Sequence, residues 1–160
     1  MSTSLKSNLN AAAASPADPA AWRSKVKVGL LAALLGCVGA HWWYLKRPGA
    51  WLVSAIGLVL MVAASLSVVW WENIAFFLLF IPTFAGCIEA IVLCLMSDAR
   101  FDARYNPGQV RSHPSGWGPV LVAGFTLLIG TIALMFGIAV IVIYVWTALG
   151  WLDGFDLSAN

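Results

Sequence analysis

Charged residues are scarce in this chain: 9 Lys and Arg with 7 Asp and Glu make up only 10% of its 160 residues, whereas 61% are hydrophobic. Soluble domains carry about 25% charged residues. A soluble core of this length could not bury so much apolar surface, so the composition predicts that lipid surrounds most of the chain. The net charge of +2 is too small, and the cations are too scattered, for nucleic-acid binding.

Cysteine and histidine are also few, with 3 Cys and 2 His. The odd cysteine count, in apolar runs, argues against a disulfide framework. Cys37 and His41 have the i, i+4 spacing of one helical face and, with Cys87 or Cys94, could outline a metal site. No paired Cys or His motif accompanies them, so packing by small thiols is the preferred interpretation. We expect no metal and no other cofactor.

The apolar residues form four stretches, at about residues 26–45, 50–70, 74–96 and 118–149. Each can cross a hydrocarbon core of about 30 Å as a helix, and none alternates polar and apolar residues as a membrane barrel strand does. All 9 tryptophans lie near the end of a stretch, where indole prefers the membrane interface. The sequence therefore predicts an all-α protein, a multipass transmembrane bundle of about four helices.

The segments outside these stretches are polar or rich in small residues. Residues 1–22 are rich in Ala, Ser, Asn and Pro and are predicted to be a flexible polar tail. Residues 107–117 are predicted to be a loop and residues 153–160 a second tail.

Four crossings would place both termini on one side of the membrane, together with Arg23, Lys25 and Lys27. Five other cations would lie on the opposite side: Lys46, Arg47, Arg100, Arg104 and Arg111. Since Lys and Arg are enriched in cytoplasmic connections, this distribution favours the cytoplasm for the first and third connections.

Glu89 is the only carboxylate deep inside an apolar stretch. A charge at the bilayer centre costs about 2.5–3.5 kcal/mol on insertion scales, so such an acid usually faces protein or water. If the first and third helices cross in the same direction, His41 lies at a similar depth. We predict that His41 meets Glu89, directly or through water, or that Lys46 or Arg47 reaches it. A packing contact is the preferred role. The alternatives are a proton relay or ligand site, and a His41 that snorkels beside a protonated Glu89.

The polar connection after the third stretch contains a four-residue echo, "DARF" followed by "DARY". As a helix ended by the "NPG" turn, it stacks Phe101 and Tyr105 on one face and Arg100 and Arg104 on another. The pattern is typical of a short juxtamembrane helix with its aromatic rings in lipid and its arginines toward phosphates. Docking of a partner would use the same residues.

Small residues recur at a four-residue spacing that allows membrane helices to approach closely, within the chain or between subunits. These residues are Ala32, Gly36 and Ala40; Gly86 and Ala90; and Ala133 and Gly137.

Two runs resemble the two-transmembrane domain family, of bacterial type: "RSKVKVGLLAALLGCVGAHWWYLKRPG" and "IPTFAGCIEAIVLCLMSDARFDARYN". The resemblance implies a two-transmembrane-family domain with an extended spacer over residues 23–106. The additional transmembrane helix predicted from the apolar run, over residues 118–152, has no counterpart in the minimal domain of that family. The residues that carry it are Gly36, Gly39, His41, Tyr44, Ile88, Glu89, Met96, Ser97, Asp98, Phe101, Tyr105 and Asn106.

The chain also departs from the family pattern. Trp42 and Trp43 stand where the family has a basic residue and a phenylalanine, and Lys46 stands where it has a glycine. If the family's two crossings hold, residues 50–96 form one crossing and a shallow hairpin instead of two crossings.

No catalytic constellation is present, since His113 has no partner nucleophile and no phosphate-binding glycine loop occurs. We therefore expect a non-enzymatic accessory or scaffold protein of the plasma (inner) membrane, whose partners are the bilayer and a membrane protein or a second copy. The candidate structural or ligand residues are His41, Tyr44 and Glu89, and the candidate docking residues are Arg100, Phe101, Arg104 and Tyr105. The alternative is a small transporter or channel subunit with Glu89 and His41 on a proton or ion path.

Overall fold

The computed structural model describes residues 22–69 and 72–152, and within those ranges all regular structure is helical. The predicted tail at residues 153–160 and all but Trp22 of the predicted tail at residues 1–22 lie outside the described residues, as do Trp70 and Trp71. The six α-helices are α1 (Lys25–Leu35), α2 (Ala40–Tyr44), α3 (Ala50–Ser65), α4 (Ile74–Leu95), α5 (Asp98–Tyr105) and α6 (Gly118–Ala148). The prediction of an all-α protein is confirmed for the described residues.

Two of these helices, α4 with 22 residues and α6 with 31, are long and apolar enough to cross a membrane. At 1.5 Å per residue they are about 33 Å and about 46 Å long. Their bounds match the third and fourth apolar stretches to within one residue. The predicted loop at residues 107–117 separates α5 from α6.

The second apolar stretch ends earlier than predicted, because α3 stops at Ser65 and the chain bends over residues 66–69. Asn73 explains the early end. Its side-chain amide donates to the Ala63 carbonyl (2.9 Å) and to the Ser67 hydroxyl, while its Oδ1 accepts from the Ala75 N–H and caps α4. One side chain thus fastens the end of α3 to the start of α4.

The first apolar stretch is not one helix, contrary to the prediction. After α1, a 3₁₀ turn (Gly36–Val38) leads to Gly39, whose φ of 67° lies in the left-handed region that glycine tolerates. The chain then reverses, and we call residues 25–44 the α1–α2 hairpin. Its open end is closed by Tyr44, whose hydroxyl accepts from the Ser24 N–H (3.0 Å) and whose carbonyl accepts from the Arg23 guanidinium (3.3 Å).

Contacts across the bundle explain why the chain reverses at this point. Gly36 lies directly on Gly86 of α4, since a Cβ added to Gly36 would lie 2.7 Å from the Gly86 Cα. The Val38 carbonyl accepts a hydrogen bond from the Ser54 hydroxyl of α3 (2.7 Å). The reversal is therefore packed between α3 and α4, where a side chain at either glycine would not fit.

The hairpin makes α1 antiparallel to α4. Lys25 lies beside Asp98, just beyond the end of α4, whereas Gly36 lies beside Gly86, farther from that end. The expectation that the first and third apolar stretches run in the same direction is therefore wrong. Helix α6 is also antiparallel to α4, because Gly130 faces Cys87 and Gly137 faces Phe80.

All eight Lys and Arg of the described residues lie at one end of the molecule, which we call the basic end. Hydrogen bonds from Arg23 to Asn106, Lys25 to Asp98 and Arg47 to Tyr105 bring the segments together there. The predicted separation of three cations from five is wrong, because the hairpin returns the chain to the end where α1 begins. At the opposite end, Glu72 is the one charged residue that the structure describes.

Helix α5 forms as predicted, but its aromatic face points inward. Phe101 is 0% exposed and Tyr105 is 5% exposed, and the two rings pack on each other with centroids 5.0 Å apart. They form the core of the basic end with Val28, Leu45 and Leu93. The expectation that these rings enter lipid or dock a partner is wrong, because the hairpin supplies a protein surface that buries them.

The polar face of α5 agrees better with the prediction. Arg100 and Arg104 are exposed, and they remain the docking candidates on this helix.

Candidate functional site

The Glu89 carboxylate receives three hydrogen-bond donors from the hairpin and the turn that follows it. His41 Nε2 lies 2.6 Å from Oε2, and the Trp42 indole N–H donates to the same oxygen at 3.1 Å. Arg47 donates from Nη1 to Oε1 at 3.1 Å and to Oε2 at 3.2 Å. The predicted contacts of His41 and Arg47 with Glu89 are both confirmed.

The reason for the contact differs from the prediction. Glu89 lies six residues before the end of α4, which is about 9 Å along the helix axis. His41 reaches that depth on the returning arm of the hairpin, one residue after α2 begins, not as part of a helix that crosses beside α4. In both arrangements the two residues share a depth, so the pairing does not depend on the direction of crossing.

Local backbone geometry aims the three donors at Glu89. Gly39 starts α2 in the left-handed conformation, so His41 and Trp42 fall in its first turn. The helix then closes with backbone hydrogen bonds from Lys46 N to Trp43 O (3.1 Å) and from Arg47 N to Trp42 O (3.0 Å). Lys46 itself has a φ of 52°, a value that favours glycine. This tight turn brings Arg47 back over the carboxylate.

His41 is 2% exposed, and its two ring nitrogens have different surroundings. Because Nε2 faces a carboxylate, this geometry assigns it a proton. Nδ1 is buried and has no hydrogen-bond partner among the described residues. Leaving a buried polar atom unpaired costs about 1–3 kcal/mol. The imidazole therefore keeps an unused acceptor when neutral, or an unused donor when charged.

Arg47 connects Glu89 to the basic end. Its Nη2 donates to the Tyr105 hydroxyl at 2.7 Å, and its guanidinium lies over the Trp42 ring, 5.4 Å from the centroid. Burial acts to lower the pKa of Arg47, but the hydrogen bond to Tyr105 and the charge of Glu89 outweigh it and raise that pKa above its usual value. A continuous polar chain thus runs from the buried His41 through Glu89 and Arg47 to Tyr105.

A second ionic cluster, which the sequence did not indicate, fastens α1 to α5 and to the loop before α6. Lys25 is 6% exposed, and its ammonium donates to Asp98 Oδ1 at 3.0 Å and to the Met96 carbonyl. The other oxygen, Asp98 Oδ2, accepts from the Ser115 N–H at 2.6 Å. Burial opposes ionisation of Asp98, but the hydrogen bonds from Ser115 and Lys25 lower its pKa to about 2.

Arg111 extends this cluster along the loop. Its guanidinium donates to both oxygens of Asp102, at 2.6 Å and 2.8 Å. The hydrogen bond from Arg111 lowers the pKa of Asp102 below its usual value despite partial burial. The sequence signal for the cluster is the pair of acids in the repeat, Asp98 and Asp102, to which the prediction assigned no role in this helix.

Tyr44 lies in neither ionic cluster and instead closes the open end of the hairpin, as described above. The three cysteines are free. The Cys94 thiol is buried 3.8 Å from the Lys25 carbonyl, and Cys87 faces Gly130. Among residues 22–69 and 72–152, no three His, Cys, Asp or Glu side chains converge as metal ligands would.

No family model matches this chain, and neither a curated protein nor a solved structure does. The resemblance to the two-transmembrane domain family therefore stays a prediction, and the function has to be argued from the geometry.

Proposed function

We propose that the chain is a multipass protein of the plasma (inner) membrane that belongs to the two-transmembrane domain family and has a non-enzymatic accessory or scaffold role. The observation that carries the proposal is the exposure of apolar surface on α6. Only four of its 31 residues are buried, and large side chains such as Met135, Phe136 and Ile143 are more than half exposed. A soluble protein would hide such a helix, whereas lipid solvates it without cost.

In the proposed arrangement the chain crosses the membrane three times, through α3 with the bend after it, α4 and α6. The α1–α2 hairpin enters from the basic end and returns to it. The basic end faces the cytoplasm, because it carries all eight described cations and the opposite end carries none. Three crossings put Trp22 and Leu152 on opposite sides, in contrast to the even number expected from sequence.

A scaffold role is supported by how fully the Glu89 carboxylate is satisfied. Three donors from the hairpin and its following turn hold it, so the cluster fastens the hairpin to α4 as a fixed packing contact. The surfaces left for a partner are the lipid-exposed half of α6 and the exposed Arg100 and Arg104. Specific co-purification of one membrane protein, lost in an Arg100→Ala/Arg104→Ala variant, would support this role.

Cysteine accessibility tests the arrangement. In a cysteine-free background, single cysteines replace Lys27, Lys46 or Glu72, and intact spheroplasts and inverted vesicles receive a membrane-impermeant maleimide. We expect Lys27→Cys and Lys46→Cys to react only from the cytoplasmic face and Glu72→Cys only from the other. Labelling of positions 27 and 46 from opposite faces would contradict the hairpin and support the four-crossing bundle predicted from the sequence. A chain recovered in the soluble fraction would refute the membrane proposal.

The second candidate function, a transporter or channel subunit with a proton path, is supported by one observation. His41 is buried beside Glu89 and keeps Nδ1 unpaired, so one polar atom at this contact remains available to a further group on a transport path. Proteoliposomes under a pH gradient would then show proton flux that Glu89→Gln abolishes and the exposed-site variant Arg104→Gln preserves. Absence of flux in the wild-type chain would remove this candidate.

A further inference from the structure

The basic end carries more positive charge than its own carboxylates neutralise. Within residues 22–69 and 72–152, three carboxylates lie there, and ion pairs commit Glu89 to Arg47, Asp98 to Lys25 and Asp102 to Arg111. Against eight cations, this leaves an excess of five. The exposed members of that excess have no carboxylate partner among the described residues: Lys27, Lys46, Arg100 and Arg104.

One of these cations, Lys46, lies in a cleft between two tryptophans. The cleft has a volume of about 300 Å³ and lies at the turn between α2 and α3, where it is lined by Trp43, Lys46, Arg47, Gly49, Ala50 and Trp51. Trp43 and Trp51 are 58% and 65% exposed, and the Trp43 indole is held by a hydrogen bond to the Ser54 hydroxyl (2.8 Å). The ammonium group of Lys46, unpaired among the described residues, thus lies in a cleft that is also lined by the indole rings of Trp43 and Trp51.

An apolar stripe runs from this cleft down the surface of α3. Leu58 and Val62 follow Trp51 at spacings of seven and eleven residues, which place them on the same helical face. Both are at least half exposed. The surface therefore combines a cation and two indoles in the cleft with exposed aliphatic side chains along α3. This combination complements an amphiphile that has an anionic headgroup and an apolar tail.

We propose that this cleft is a binding site for an anionic glycerophospholipid, with the phosphate on Lys46, the glycerol region between Trp43 and Trp51, and an acyl chain along α3. The inference depends on the proposed membrane location and adds the ligand class of a site at the cytoplasmic face. Anionic lipids of that leaflet are attracted to juxtamembrane cations, and indole rings settle at the headgroup level. A soluble anion would use the cation but would leave the apolar stripe uncovered.

Native mass spectrometry of the detergent-purified full chain tests the site by titration with phosphatidylglycerol, or with phosphatidylcholine of the same acyl chains. We expect phosphatidylglycerol to bind more tightly, and Lys46→Gln to weaken it by about fivefold, as expected for one cation near a membrane surface. Lys27→Gln is the matched control, because it removes the same charge at the same end but does not line the cleft. Its affinity should stay within about twofold of wild type.

A second variant separates binding from folding. Lys46 has a φ of 52°, so Lys46→Gly relieves strain in the turn while removing the ammonium group. It should unfold at a higher temperature than wild type and still lose phosphatidylglycerol affinity as Lys46→Gln does.

Three outcomes would overturn the site. Equal affinity of wild type and Lys46→Gln for phosphatidylglycerol would show that Lys46 does not contact the lipid. Equal losses of affinity in Lys27→Gln and Lys46→Gln would show that the lipid responds to the overall charge of the basic end and not to this cleft. Displacement of the lipid by millimolar glycerol 3-phosphate would show recognition of a soluble phosphate. Failure of the membrane proposal would be seen separately, as a chain that needs no detergent.

Discussion

The contact between Gly36 and Gly86 allows a sharp test of the α1–α2 hairpin. In Gly86→Ala the added Cβ would lie 2.5 Å from the Gly36 Cα and 2.7 Å from the Ala32 carbonyl oxygen. Carbon atoms in good contact are about 3.5–4.0 Å apart. Both obstructing atoms belong to the backbone, so no side chain can rotate away, and the hairpin has to move from α4 by about 1 Å.

The magnitude follows from two opposing effects. Overpacking costs about 1–3 kcal/mol, and the upper half of that range applies because both neighbours are backbone. Alanine in place of glycine gains up to about 1 kcal/mol of helix propensity. The net loss should be about 1–2 kcal/mol. Since Glu89 follows Gly86 by three residues on the same helix, the 2.6 Å contact between His41 and Glu89 should weaken as well.

The assay is unfolding of the purified chain in detergent by heat or by a denaturing detergent, with Gly124→Ala as the matched control. A Cβ at Gly124 of α6 would meet nothing within 4 Å, so this variant should be as stable as wild type or more stable by about 0.5–1 kcal/mol. The reasoning would be refuted if Gly86→Ala were as stable as Gly124→Ala, because α1 would then not lie against α4.

Three other predictions concern the basic end. Asp98, with a pKa lowered from 3.8 to about 2, contributes stability that is present above pH 3.8 and is lost as the pH falls through about 2. In Asp98→Asn, the unfolding temperature should therefore depend less on pH between about 2 and 3.8 than it does in wild type. An equally steep pH dependence in the variant would contradict the ion pair. Phe101→Ala should destabilise the chain by about 3–5 kcal/mol, since its ring is fully buried, whereas exposed Arg100→Ala should stay within about 0.5 kcal/mol in the same denaturation assay. Lys46→Gly should stabilise the chain by about 1 kcal/mol by removing a left-handed non-glycine residue, and thermal unfolding without added lipid measures it.

The long helices could be predicted from sequence because their signals are local. Helices α4 and α6 are apolar runs with clear limits, Asn73 before the first and Gly118 with Pro119 at the start of the second. Helix α5 follows from the repeated "DAR" and from Ser97, whose hydroxyl accepts from the Arg100 N–H. Hydrophobic periodicity and helix caps depend on residues close together in the sequence, so they can be recognised without knowledge of the rest of the fold.

The reversal at Gly36–Val38 could not be predicted, because its causes are not local. Small residues spaced like Ala32, Gly36 and Ala40 are typical of straight, closely packed membrane helices, and glycine is equally common at turns. What selects the turn here is the fit of Gly36 on Gly86 and the hydrogen bond from Ser54 to Val38. Those partners are 50 and 16 residues away in sequence.

Missing the reversal also changed the predicted distribution of charge. The prediction distributed Lys and Arg between two ends according to the number of helices, so one misassigned hairpin placed three cations at the wrong end of the molecule. The burial of Phe101 and Tyr105 was missed for the same reason, since the surface that covers them includes Val28 and Leu45 of the returning chain. The pairing of His41 with Glu89 survived because it depended only on depth.

If the chain lies in a membrane as proposed, the position of the Glu89 cluster explains how the hairpin stays attached to α4. Burying apolar surface gives little drive for association there, because lipid tails are as apolar as leucine. Attachment then has to come from close packing and hydrogen bonds, and α4 provides both within one turn, through Gly86 and Glu89. Gly86 lets the backbones touch, and Glu89 binds the returning arm through His41, Trp42 and Arg47. Because the added Cβ in Gly86→Ala already weakens the His41–Glu89 contact, Glu89→Gln should cost less stability in that background than in wild type. In the same unfolding assay, the double variant should therefore lose less than the sum of the two single losses.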